Sequence, residues 1–132
     1  MNVIETYAQQ FSELWMDENL FLPDGPEMCP AEGTRTLLEY ARGSKDTFKH
    51  FKSIVVKQII CKTALVNGKE ELHGVIDANI YFKVKQGEAI VPIIQVLHTK
   101  NNLITYLNSF WDLEKFKTMT DYHPELKEIF QL

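Results

Sequence analysis

Residues 54–84 read IVVKQIICKTALVNGKEELHGVIDANIYFKV, and this stretch decides the fold class. Ile54 to Val66 is rich in β-branched residues and long enough for an extended strand. Asn67-Gly68 supplies the residue pair that a tight reversal favours, and Glu71 to Val84 continues as a second strand whose length accommodates a bulge or bend. Toward the C-terminus, Lys85 to Glu88 form another turn, Ala89 to Thr99 a third strand, Lys100 to Asn102 a further turn, and Leu103 to Trp111 a fourth strand. Four consecutive strands joined by short turns predict an antiparallel sheet rather than the parallel sheet of an alternating α/β chain. Strands this long expose two faces unless the sheet curls around its contents or packs against helices or another subunit.

Toward the N-terminus the period changes. Val3, Ile4, Tyr7, Phe11, Leu14 and Trp15 recur at three- and four-residue intervals and predict an amphipathic helix from about Asn2 to about Asp17, with Asn2 and Glu5 as its capping pair. Pro23, Asp24, Gly25 and Pro26 oppose a regular element, and the loop continues through Cys29 and Pro30 to Gly33. A second helix is expected around Thr34 to Ala41 with Gly43 as its stop, then a short helical segment or turn from Ser44 to Lys52. The sum is an α+β chain in which N-terminal helices pack against a strongly curved antiparallel sheet, cone-like with an internal pocket. Residues 1–116 are expected to form one domain, and residues 117–132 a C-terminal tail or short helix, helical around Pro124 to Phe130.

The chain has 132 residues, 45% of them hydrophobic, enough for one autonomous core. Eighteen acidic against 14 basic residues leave a formal charge of −4, without the basic field of a general nucleic-acid binder. The one basic stretch, Lys45, Lys49, His50 and Lys52, is interleaved with Phe48 and Phe51 and reads as a half-buried helix with a solvated lysine face. The apolar runs are too short to cross a bilayer, and two cysteines with no secretory leader imply a cytoplasmic setting. No phosphate loop, dinucleotide fingerprint, HExxH sequence or serine elbow occurs, so no cofactor is expected. His50, His73, His98 and His123 show no metal-ligand spacing, and no metal site is expected.

Several local signatures add to this order. Trp15-Met16-Asp17-Glu18 is followed by Asp24-Gly25 and then Gly33, Tyr40 stands three residues before Gly43, and Trp111 closes the last strand. From roughly Tyr7 to Phe116 the chain resembles the nuclear transport factor 2-like superfamily, nearest to its ketosteroid isomerase and polyketide cyclase branches. That resemblance implies a concave small-molecule site in which Asp24 is the general base and Tyr40 a pocket aromatic. It also implies departures: the isomerases' N-terminal helix with its oxyanion tyrosine has no matching place here, Tyr7 is a poor substitute, and Gln95 stands where those enzymes carry an acid.

The expected catalytic residues are therefore Asp24, Tyr40 and Gln95, and the expected ligand-binding residues Trp15, Asp77, Asn79, Ile93, Leu107 and Trp111. Each has a plainer reading. Pro-Asp-Gly is a favourable turn by itself, the tryptophans are core or wall residues, and Asp77 and Asn79 share a strand face that points to the cavity or to solvent across a dimer boundary. Parity places Leu107, Ser109 and Trp111 on one face of the last strand and Ile93, Gln95 and Leu97 on one face of its neighbour. The expected function is that of a cofactor-independent enzyme or binding protein for a small apolar or cyclic ligand, isomerase- or cyclase-like through the aspartate. The alternative is a non-catalytic ligand-binding or homodimeric interaction module, with Tyr81, Tyr106 and Phe110 on its outer faces.

Overall fold

The computed structural model describes residues 1–29 and 33–130. Helix α1 spans Val3–Ser12, opened by the expected box in which Asn2 Oδ1 accepts from Glu5 N at 2.8 Å and Glu5 Oε1 from Asn2 N at 3.0 Å. It ends five residues earlier than its periodicity predicts, because Leu14 takes a left-handed φ of 62° and turns the chain away. A 3-10 turn, Glu18–Leu20, follows.

The proline-punctuated stretch read as a loop contains a hairpin. Strand β1 (Pro26–Cys29) pairs with β2 (Gly33–Thr36), and β1 also runs parallel to the last strand, Glu27 opposite Leu107 and Met28 opposite Asn108. The sheet is accordingly mixed, a correction to the wholly antiparallel expectation; a four-residue strand bounded by prolines carries too little periodicity to be read in advance. Helix α2 spans Leu37–Phe48. It joins the two helical pieces expected there, although Thr34–Thr36 belong instead to β2 and Phe51 and Lys52 to the next strand, and it passes through Gly43, because Leu37, Tyr40, Ala41, Ser44 and Phe48 form one continuous buried stripe.

The long hairpins are as expected in order: β3 (Phe51–Val66), β4 (Lys69–Phe82), β5 (Ile90–Lys100) and β6 (Leu103–Trp111). Six strands in the order β2-β1-β6-β5-β4-β3 form one curved, open sheet. Register shifts in β3 between Phe51 and Ser53 and between Val56 and Gln58 add the local twist that bulges bring. Inward residues of β4, Gly74, Ile76, Ala78, Ile80 and Phe82, alternate with outward His73, Val75, Asp77, Asn79 and Tyr81. At Gly74 a Cβ would meet Ile4 Cδ1 at 2.8 Å, so the glycine admits α1 to the inner face.

The polar segment after Trp111 folds into α3 (Leu113–Tyr122), capped by Asp112, and α4 (Glu125–Phe130). The sequence pattern anticipated only the second. Phe116, Met119 and Leu126 are buried members of the same core as Ile4, Phe11, Leu37 and Leu97, and Phe116 meets Trp111 edge-on with ring centroids 4.6 Å apart. Among the described residues no helix is long and apolar enough to cross a membrane.

Candidate functional site

Between α2 and the inner faces of β1, β5 and β6 lies a half-enclosed cavity of about 310 Å³. Its apolar wall is Phe11, Phe48, Phe51, Ile80, Val91 and Ile93; its polar wall is Glu27, Tyr40, Gln95 and Ser109. The alternation of β5 and β6 brings Gln95 and Ser109 inward on neighbouring strands, directly opposite in register. On β1 the pattern turns Glu27 and Cys29 inward, and on α2 the buried stripe carries Tyr40 to the same space.

The polar wall is the visible part of a buried network. Tyr7 Oη donates to Gln95 Oε1 at 2.8 Å, and the Tyr7 and Tyr40 hydroxyls lie 2.7 Å apart. Gln95 Nε2 donates to Ser109 Oγ at 3.1 Å and more loosely to Tyr40 Oη at 3.4 Å. A phenol has one proton, so with that of Tyr7 committed to Gln95, the Tyr40 hydroxyl must donate to Tyr7. The chain of donors therefore runs from Tyr40 through Tyr7 and Gln95 to Ser109, whose own O–H, at the cavity, has no acceptor among the described residues. Burial holds the Tyr40 phenol up at about 12, and burial together with Tyr40 holds that of Tyr7 well above its ordinary value. Both tyrosines are neutral donors throughout the physiological range.

The charged part of the site is Glu27, 2% exposed, whose Oε2 accepts from Arg35 Nε at 3.0 Å. The Arg35 guanidinium also lies over the Tyr40 ring, 5.3 Å from its centroid, and its side chain is 39% exposed, so the ion pair runs from the buried floor to the mouth. Trp111 Nε1 donates to Cys29 Sγ at 3.0 Å.

Of the residues the sequence singled out, the fold brings Tyr40, Gln95, Ile93 and Trp111 together around the cavity. Leu107 shares their face but lies fully buried in the core. Asp24 is exposed in the turn before β1, and Trp15, 49% exposed, stands beyond the end of α1; neither lines the cavity. Asp77 and Asn79 are on the outer face of β4, where Asp77 pairs with Lys57 Nζ at 3.3 Å and Asn79 borders an open groove beside α3. Four site residues were missed: Tyr7, Glu27, Arg35 and Cys29. Tyr7 lies in the apolar stripe of α1 and reads from the sequence as a poor substitute for the isomerases' tyrosine, and the other three lie in the unrecognised hairpin. Ser109 was legible by parity with Trp111 but was not singled out. Among the described residues no group of three or more His, Cys, Asp or Glu side chains is arranged to hold a metal ion.

No family model and no curated protein matches the chain. Solved structures do. A hypothetical protein with a ketosteroid isomerase-like fold from Catenulispora acidiphila, solved in complex with trimethylamine, aligns at 19% identity with a TM-score of 0.61, covering 87% of this chain and 92% of that one. A nuclear transport factor 2-like protein of unknown function from Cytophaga hutchinsonii aligns at 13% identity and 0.61 over 83% and 96%. A protein from Xanthomonas campestris, provisionally assigned as a polyketide cyclase, aligns at 8% identity and 0.64 over 89% and 93%. The chain has the nuclear transport factor 2-like fold. At these identities the likeness shows the fold alone, and the nuclear transport factor 2-like cone accounts for the cavity's place inside the curved sheet without assigning a reaction.

Proposed function

We propose that the chain takes a small neutral molecule, apolar over most of its body, into this cavity and acts on it without a cofactor by proton transfer at the Glu27 carboxylate. The observation that carries the reading is the combination in one cavity of a buried carboxylate, a spare hydroxyl donor at Ser109 and an aromatic and aliphatic wall. The volume is at the lower end of the ~300–1,000 Å³ of small-molecule sites. Because Glu27 and Arg35 neutralise each other, a neutral guest enters without leaving a buried charge uncompensated. Abstraction of a proton next to a carbonyl needs a base and a donor where negative charge develops. In this reading Glu27 is the base, and Ser109, fed by Gln95, Tyr7 and Tyr40, is the donor. The role expected of Asp24 passes to Glu27, since Asp24 stands in solvent. Ile93 and Trp111 are wall residues.

The test is deuterium uptake at the α-carbons of small cyclic ketones in heavy water, followed by NMR with and without protein. Glu27→Gln is expected to lower the exchange rate by roughly 10²-fold or more while binding persists. Ile93→Trp, which fills the cavity, is expected to abolish binding. Binding without any protein-dependent exchange would favour the second reading, a non-catalytic ligand-binding module. That reading is supported by Arg35, which occupies one oxygen of the proposed base. Homodimerisation through the outer sheet face belongs to either reading and is supported by the exposure of Val55, Ile60, Ile94 and Phe110 there.

A further inference from the structure

The cavity wall holds a thiol that the proton-transfer reading leaves unused. Cys29 is 4% exposed and lines the cavity, turned inward on β1 two residues beyond Glu27. The parallel pairing of Met28 with Asn108 sets it beside Ser109 of β6, which is opposite Gln95 of β5. Thiol, hydroxyl and amide therefore stand in one row across three strands, with the Glu27 carboxylate next to that row on β1. We propose that the row is a covalent site for small α,β-unsaturated ketones, the Cys29 sulfur adding to the β-carbon. The proposal rests on the reading above that the cavity admits a small neutral carbonyl compound.

Cys29 does not carry the site alone. Ser109 is 5% exposed, and its O–H, at the cavity, has no acceptor among the described residues. A buried donor of that kind calls for an acceptor on the guest, and a carbonyl oxygen is the acceptor that a neutral guest brings. Neighbouring strands lie about 4.8 Å apart, so one C=C–C=O unit over the row meets the sulfur with its β-carbon and the hydroxyl with its oxygen. On the sulfur side, Trp111 Nε1 donates to Cys29 Sγ at 3.0 Å, and the negative charge that sulfur gains as its proton leaves falls on an atom that already accepts a hydrogen bond. Ile93, Val91 and Phe48 face the carbon skeleton. Cys61 has none of these neighbours: it lies on β3 outside the cavity lining, and its sulfur accepts from Asn2 Nδ2 at 3.9 Å.

The step balances without a further reagent. The S–H proton passes to the Glu27 carboxylate, the sulfur–carbon bond forms at the β-carbon, and the π pair of the C=C bond shifts to give an enolate whose oxygen takes the Ser109 hydrogen bond. Glu27 then returns the proton to the α-carbon. One S–H is added across one C=C, nothing is oxidised and nothing leaves, and the reverse sequence releases the guest. A saturated ketone offers the same oxygen to Ser109 but no electrophilic carbon to the sulfur, so it occupies the site without reacting there.

Intact-protein mass spectrometry tests this on the full chain with Cys61→Ser, in which Cys29 is the one remaining thiol of two. The probe is cyclohex-2-enone, and the comparison is a maleimide on a polyethylene glycol chain, too large for a cavity of about 310 Å³. The expected result is one enone per chain, added at a rate that cyclohexanone suppresses and that Ser109→Ala lowers roughly 10²-fold, while the maleimide labels the chain only once urea unfolds it. No adduct at Cys29 overturns the covalent site. An adduct whose rate neither cyclohexanone nor Ser109→Ala changes overturns it too, as does a folded chain that the maleimide labels as fast as the unfolded one, since each makes Cys29 an ordinary open thiol. Deuterium uptake into cyclohexanone, followed in parallel, separates this site from the reading it rests on: an adduct without exchange leaves the covalent site standing and removes proton abstraction from saturated ketones, and exchange without an adduct does the reverse.

Discussion

Replacing Tyr7 by Phe isolates the buried network from the packing around it. The ring of Tyr7 is fully buried, stacked on Phe11 at 5.7 Å and edge-on to Phe21 at 5.9 Å, and Phe retains those contacts. What is lost is one hydroxyl that makes two hydrogen bonds, leaving Gln95 Oε1 without its donor and the Tyr40 O–H without its acceptor. A stranded buried polar group costs about 1–3 kcal/mol, so Tyr7→Phe is expected to cost about 2 kcal/mol. At about 3–5 °C per kcal/mol for a chain of this length, Tm falls by about 6–10 °C. Gln95→Leu strands the Tyr7 hydroxyl instead and is expected to cost a similar amount. The double variant removes both partners together, so its cost is expected to stay near that of one single variant, a coupling of about 1–2 kcal/mol. Urea unfolding followed by tryptophan fluorescence, with equal m-values as the control, measures all four corners of the cycle. Single variants costing under about 0.5 kcal/mol, or strict additivity, would show that the two residues are not parts of one network.

Two further outcomes follow from the same structure. A Cβ at Gly25 would lie 2.6 Å from the Thr105 carbonyl oxygen and 2.7 Å from Leu37 Cδ1, so Gly25→Ala is expected to cost about 1–3 kcal/mol in the same unfolding assay, and a neutral result would refute the close approach. Because burial raises the Tyr40 phenol to about 12 and that of Tyr7 well above 10, the folded chain retains protons that the unfolded chain gives up. Stability is therefore full below about pH 10 and lost as pH rises from there toward 12, by about 2–3 kcal/mol for Tyr40 alone. Urea midpoints that stay level across this alkaline range would contradict it.

The sequence by itself determined the α+β order, the four long strands and their turns, the capping box of α1, and that Gln95 shares a face with Ile93 and Ser109 with Trp111. These are properties of local periodicity and turn chemistry, and a residue's neighbours along the chain suffice to state them. Asp24 drew attention because it stands in a recognisable Pro-Asp-Gly turn, yet a turn signal says nothing about which side of the chain faces a cavity. Only the tertiary structure decided that Glu27 is the buried acid, since its inward orientation follows from β1 lying parallel to β6, a pairing between residues 80 apart in sequence that four residues of strand between prolines do not announce. The same holds for Tyr7, which reads as one more apolar position on α1 until β5 places Gln95 within 2.8 Å of its hydroxyl. Periodicity assigns a side chain to a face; only the packing of the elements decides what that face meets.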